Sequence, residues 1–343
     1  MIASKTHILL FTVASILLGA LSCSNDNNNK CSGSNCKISV TDFRGKQIGF
    51  NDHPKRIVCL IESALSGFYM LHTESSIVGV SSNIYDSEVF SQYAVLDNRI
   101  RNKLLPTPGN WDFISMENIV ALKPDLVVMW ASQTESIETI EAKGIPVYAV
   151  MLTSTADVYK EISDFGKITG TEKRADSLIQ YTKSQVSDFS SSVNNTSVEK
   201  QKVYFMWSQG PLETSGAKST VNELIELAGA NNACISPDEH MVVNLEKLIE
   251  WNPDVIVMWC NANKNPVDIL NLSGWENINA VKNKRVYELP SVFMCDLWTL
   301  KFQYAVKLLH TWCYPSSNSN VNLDNEKTAM LKMLYGSKGE TIR

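Results

Sequence analysis

Residues 114–132 (ISMENIVALKPDLVVMWAS) return at 243–261 (VNLEKLIEWNPDVIVMWCN), every aligned position displaced by 129 residues. Glu117/Glu246, Pro124/Pro253, Asp125/Asp254, Val128/Val257, Met129/Met258 and Trp130/Trp259 are identical pairs, and the other apolar positions match in character. A chain that writes the same unit twice is constrained to fold as two similar lobes. A cleft between lobes is where small ligands usually bind.

The length of 343 residues agrees with two lobes at about 150 residues per domain. A formal charge of −5 with interspersed signs supplies no basic stripe of the kind nucleic acid demands. At the N-terminus Lys5 precedes an apolar run, Ile8–Leu21, short for a bilayer span, and Leu21-Ser22-Cys23 is followed by the polar SNDNNNK. This reads as a lipoprotein signal over 1–22, cleaved before an acylated Cys23, with 23–36 as a flexible tether. Ala20 stands where the usual lipobox has Leu, and an ordinary cleaved signal is the alternative.

Once Cys23 is assigned to lipid, seven of the eight cysteines remain, so at least one thiol stays unpaired if the others bridge within the chain. Cys59 and Cys260 lie in apolar runs and are expected to be buried. Cys31 and Cys36 are near enough for a local bridge and Cys234 with Cys313 for a second, and spacing decides neither. The chain has no CxxC, HExxH or Asp-rich loop, so a redox pair, a thiolate zinc site and capture of a bare divalent ion are unsupported.

Lys37–Phe50 alternates around Asp42-Phe43-Arg44-Gly45 and predicts a hairpin. Strands are expected at Arg56–Ile61, Ile77–Val80, Leu126–Trp130 and Ile145–Met151, interleaved with helices at Ser63–Leu71, Ser115–Leu122 and Ile137–Lys143. The second half repeats the scheme, with strands at Lys202–Trp207, Val255–Trp259 and Arg285–Leu289 and helices at Thr220–Leu227 and Leu245–Trp251. Short apolar strands alternating with helices predict an α/β fold with parallel-type sheets. Between the halves Ala175, Leu178, Ile179, Thr182, Val186, Phe189 and Val193 form one helical stripe beginning near Thr171. That is a strut of about 33 Å. The lobes then span 37–170 and 197–343, with the connecting helix over 171–196. The stretch from Leu300 to Gly336 is expected to be largely helical around PSSNSNVN.

Glu117 and Glu246 follow the N-cap candidates Ser115 and Asn244. A first-turn carboxylate is favourable to the helix dipole by itself. However, the neighbouring exposed positions have drifted between the copies (Asn118/Lys247, Ala121/Glu250) while the Glu is unchanged. Two equivalent carboxylates could also pair with two equivalent arginines on a two-fold symmetric partner.

The order RIVCL, VGVSS, ALKPDLVV, GIPVYAV, a long helix, then TSGAKSTVNELIELAGANN at Thr214–Asn232 resembles the periplasmic substrate-binding proteins of ABC importers for iron chelates and vitamin B12. The resemblance spans about residues 37–315. It implies two Rossmann-like lobes bridged by one long α-helix, a ligand cleft between them, no enzymatic chemistry, no cofactor and a monomer. It also implies that Glu117 and Glu246 dock onto arginines of the permease dimer in the inner membrane. The protein would then be a periplasmic or cell-surface lipoprotein, membrane-anchored through Cys23.

The 129-residue displacement sets Trp111 opposite His240, each six residues before its Glu. In the vitamin B12 binder of this family both equivalent loops carry tryptophans that contact the corrin; here the second is His240. An aromatic face suits planar ligands or cations. His240 could donate a hydrogen bond or ligate a metal already held by its chelator. Trp207 aligns with an aromatic ligand contact of the same binder, with core packing as its competitor. Tyr85, Phe293 and Trp298 sit where a doubly wound sheet presents its ligand loops. Arg99, Arg101 and Lys103 could meet an anionic siderophore or simply be solvated. Corrinoid, haem and ferric siderophore all remain open. The alternatives are a metal-cluster or other enzyme on the same scaffold, although GxGxxG, GxxxxGK[ST], GxSxG and cluster-type cysteine spacing are absent, and a surface receptor uncoupled from a permease.

Overall fold

The computed structural model describes residues 30–31, 36–86, 88–194, 199–260 and 263–342. Cys23 and the apolar N-terminal run lie outside them. Each half is built on a four-stranded parallel sheet. In the first lobe the strands run in the order Ile77–Val80, Ile57–Cys59, Leu126–Trp130, Val147–Val150. In the second the order is Asn231–Asn232, Lys202–Met206, Val255–Met258, Val286–Glu288. The strand of the sequence repeat occupies the third place in both, with Leu126 paired to Ile57 and its counterpart Val255 paired to Val203.

Parallel strands covered by helices on both faces need apolar side chains at every position, which accounts for LVVMW and VIVM. The alternation still has meaning. Leu126 and Val128, like Val255 and Val257, face one core shared by the two lobes, while Val127 and Met129, like Ile256 and Met258, face the outer core of their own lobe. A one-residue slip would exchange these faces. The repeated Asp has a structural role: Asp125 accepts from the backbone N–H of Lys55 and Arg56, and Asp254 from that of Lys202, so each ties down the start of the neighbouring strand.

The predicted hairpin forms from Ile38–Thr41 and Gln47–Phe50, turning through Gly45 at φ +78°. A short strand, Lys30–Cys31, adds antiparallel to Gln47–Phe50, so part of the expected tether uses the open hydrogen bonds of that edge. Cys36 is disulfide-bonded, whereas Cys234 and Cys313 are both free and buried; the proposed second bridge does not exist. Cys59 and Cys260 are buried as their apolar runs predict.

The long helix is Glu172–Asn194, 23 residues or about 34 Å. Ala175, Leu178, Ile179, Thr182 and Val186 are buried along one stripe, and Phe189 packs against the same core; the side chain of Val193 lies outside the described residues. The stripe meets the helix Thr155–Thr169 of the first lobe and the helices Thr220–Leu227 and Phe302–Cys313 of the second. The rod is therefore packed along its length against both lobes. The final helix, Leu323–Tyr335, continues past the second lobe onto the first: Tyr335 shares a 2.5 Å hydrogen bond with Ser66, and Lys338 donates to the Leu96 carbonyl.

A direct link also crosses between the lobes. The Glu223 carboxylate accepts from the backbone N–H of Thr155 at 2.7 Å and from its hydroxyl at 2.6 Å. One lobe thus supplies an anion to the first turn of a helix in the other, where dipole and unpaired N–H groups favour it. Glu223→Ala is expected to cost about 1–2 kcal/mol, read as a lower urea midpoint at unchanged m.

Candidate ligand cleft

Strand ends place the first hollow. The chain leaves Ile57–Cys59 into Ile61 and Glu62, leaves Ile77–Val80 into Ser81 and Asn83, and ends the repeat strand at Trp130, so the carboxyl edge of the sheet opens onto one cavity of about 300 Å3. Trp111 stands at its mouth with 61 % of its surface exposed. Asp296 and Trp298 of the second lobe complete the wall. The Trp111 loop is held rather than loose. Gln133 donates to the Trp111 and Asn110 carbonyls, and Asn110 accepts from the N–H groups of Asp112 and Phe113 while donating to Ser82 and Asn83. Such pre-ordering lowers the cost of binding.

Beyond Trp298 lies a second hollow of about 270 Å3, lined by Trp207, Ser215, Thr220 and His240 among others. Trp207 donates its indole N–H to Ser215 at 2.8 Å, and His240 Nε2 lies 2.8 Å from Glu213. Trp207, Trp259 and Trp298 form a chain of rings at centroid distances of 5.4 and 6.4 Å. Trp298 borders both cavities, so Trp111 and His240 face neighbouring compartments of one cleft.

Two anticipated ligand residues are placed elsewhere. Phe293 is 2 % exposed, T-stacked on Tyr93 and stacked on Tyr335, because its strand-end segment turns it inward and gives the cleft to Asp296 and Trp298 instead. Tyr85 hydrogen-bonds both the carbonyl and the N–H of Leu105 and borders neither hollow. The basic group is employed structurally: Arg99 binds Asp97 and the carbonyls of Glu74 and Ile77, Arg101 binds the Ala94 carbonyl, and the Lys103 ammonium lies over Tyr85 and Phe90. These are internal ties, not a free anion site. Sequence reasoning missed Trp130, Glu62, Asp296 and Thr220. The signal for Trp130 was present, since it ends the repeat strand at the carboxyl edge where such sheets bind.

The floor of the first hollow is acidic. Burial is the main cause that pushes the Glu62 carboxyl up to about 7; nearby Asp296 adds to it and the Asn83 side chain opposes it. Burial likewise raises Asp296, against the pull of Lys301. A carboxyl raised from 4.5 to about 7 binds an extra proton in the folded state between those values, so its cost to stability grows as pH rises through that window and is complete above 7. Glu62→Gln is expected to stabilise the protein by about 2–3 kcal/mol at pH 8 and to be neutral near pH 4, read from denaturation midpoints. Among the described residues no three His, Cys, Asp or Glu side chains are grouped to hold a metal ion. His240, offered to a ligand-held metal by the sequence, is paired with Glu213.

Glu117 and Glu246 are exposed in the first turns of Met116–Ala121 and Leu245–Trp251, behind Ser115 and Asn244, whose side chains accept the N–H of Asn118 and Lys247. Around them the displacement of 129 holds for apolar side chains as well. Phe113 and Val242 are 68 % and 66 % exposed, and Val120 and Ile249 are 44 % and 41 % exposed, so each lobe exposes two hydrophobes at equivalent positions, one on either side of its Glu in sequence.

Residues 57–293 match the family described as periplasmic binding protein. The ABC transporter substrate-binding lipoprotein YvrC of Bacillus subtilis is 29 % identical over 80 % of this chain and 88 % of its own. The molybdate-binding protein MolA of Haemophilus influenzae is 27 % identical over 83 % and 87 %. Its molybdate-bound structure superposes with a TM-score of 0.74 at 24 % identity, covering 87 % of this chain and 97 % of that one. The iron(3+)-hydroxamate-binding protein FhuD of Bacillus subtilis is 23 % identical over 81 % and 89 %. With two sheets of one topology around a common cleft, and more than half its length matched, this chain belongs to the periplasmic binding proteins, the substrate-binding components of ABC transporters.

Proposed function

We propose that this protein captures a metal chelate, an iron siderophore, haem or a corrinoid such as vitamin B12, in the cleft between its lobes and delivers it to an ABC permease without chemically altering it. The observation that carries the reading is the aromatic cleft: Trp111, Trp130 and Trp298 around one hollow, with Trp207 beyond. Indole faces give large contact area to a bulky conjugated or apolar-rimmed ligand at little entropic cost. The lining of that hollow carries no Lys or Arg side chain, so it offers no cation to a small free oxyanion of the kind MolA holds. The iron-hydroxamate ligand of FhuD is the better analogue.

The twin patches around Glu117 and Glu246 are the docking surfaces for a two-fold permease, and acylated Cys23 tethers the protein to the membrane outside the cytoplasm. The docking role rests on the repeated sequence pattern and the exposure of the two patches, and the tether on the sequence pattern alone. The packed central helix favours small closure over a wide hinge, since reorienting a loop is easier than bending a helix buried along its length. Titration with ferric hydroxamates, haem and cobalamin while following tryptophan emission tests the reading. One of them should bind one-to-one with Kd of about 1 μM or lower and weaken in Trp111→Ala; no binding by any of the three overturns chelate capture.

A further inference from the structure

The first hollow brings carboxyl groups of both lobes to one place. Glu62 opens the helix Glu62–Met70 of the first lobe, Asp296 follows the last strand of the second, and both border the same cavity. Behind them two further charged groups are sealed in. Glu161, on the first-lobe helix Thr155–Thr169, is 1 % exposed and its Oε1 has no hydrogen-bond partner, and it lies near enough to Asp296 to feel that charge. Lys301, also 1 % exposed, holds its ammonium 3.7 Å from the centre of the Phe293 ring instead of against a carboxylate. Among the described residues none of the four is in an ion pair.

Three carboxyls thus face one cation, and the neighbouring groups leave that balance unchanged. Around Asp296, burial keeps Tyr93, Tyr335, Cys295 and Cys260 neutral. Around Glu161 it does the same for Cys59 and Tyr148, while Lys160 and Asp164 pair with each other. Beside Glu62 the polar neighbour is the uncharged Asn83. Full ionisation would leave two negative charges uncompensated and largely out of water, so the cluster retains protons. The Glu62 carboxyl, pushed up to about 7 mainly by burial, sheds its proton in the neutral range. Because Glu62 and Asp296 ride on different lobes, repulsion between their ionised forms acts on the spacing of the lobes, and a poorly hydrated cleft screens it weakly.

We propose that Glu62 and Asp296 form a proton-operated spacer between the lobes: a proton held between the two carboxyls lets the empty cleft narrow, and its loss drives the lobes apart. The spacer needs no ligand and is independent of which molecule the cleft captures. It biases a small rigid-body displacement, the kind of motion that the packed central helix allows.

The test places nitroxide labels on the full chain in detergent at Glu138→Cys and Val267→Cys. These exposed positions correspond under the displacement of 129 and lie on the helix after the repeat strand in each lobe, and the free thiols of the described residues are buried. Double electron–electron resonance should give a mean separation about 2 Å longer at pH 7.5 than at pH 5. With Glu62→Gln and Asp296→Asn together, the separation should keep its pH 5 value at both pH values. Glu62→Gln alone should remove most of the shift, and it carries the test if the double variant fails to fold. A separation that does not change with pH in the labelled parent overturns the spacer, as does an undiminished shift in either variant.

Discussion

Trp298→Ala is expected to weaken the captured ligand by about 2–4 kcal/mol, a factor of roughly 30 to 1,000 in Kd. Trp298 is the one tryptophan that borders both hollows, so truncating it removes contact area from each and merges them into a wetter space. Energetic anchors concentrate in central, desolvated aromatic side chains, and Trp298 stacks edge-on against Trp259, which holds it in place. Trp298→Phe should restore most of the affinity by keeping an aromatic wall. Fluorescence titration of the three proteins, with melting temperatures to verify folding, makes the measurement. Equal Kd for wild type and Trp298→Ala removes the residue from the site.

The double reversal Glu117→Arg with Glu246→Arg is expected to reduce transport by at least about 100-fold while leaving Kd for the ligand unchanged. Both carboxylates are exposed first-turn residues, away from the residues that border the cleft, so binding should not sense them. Docking should, because reversing a charge at an interface both removes a partner and adds repulsion, at about 2–5 kcal/mol for a buried pair. The two positions lie on different lobes, so each single reversal should give an intermediate loss whose free energies add. Uptake of radiolabelled ligand by cells expressing the cognate permease reads the effect. Normal uptake by the double variant would refute docking through these residues.

Much of the architecture was legible because it follows from local periodicity. The strands and helices that the apolar patterns predict are present, while the equivalent third place of the repeat strand in the two sheets comes from the structure. The stripe from Ala175 to Val186 announced a buried rod. The site was less legible. Trp111, Trp207, His240 and Trp298 border the cleft, but Tyr85 and Phe293 do not, and Glu62, Asp296 and Thr220 were unseen. Phe293 and Asp296 are only three residues apart on a loop, where no period of 2 or 3.6 tells which side chain turns inward. Arg99 read as a solvated cation or one open to an anion because its carbonyl acceptors, Glu74 and Ile77, are more than twenty residues away in sequence.

What the amino-acid order by itself determined is a doubled α/β chain with a stiff connector and paired acidic helix starts, since repetition and periodicity are properties of neighbours along the chain. Only the tertiary structure decided that the final helix reaches over both lobes, that Glu223 joins them, and that one tryptophan divides the cleft in two. Those features depend on groups distant in sequence meeting across an interface, and such meetings are set by packing geometry that no local pattern encodes.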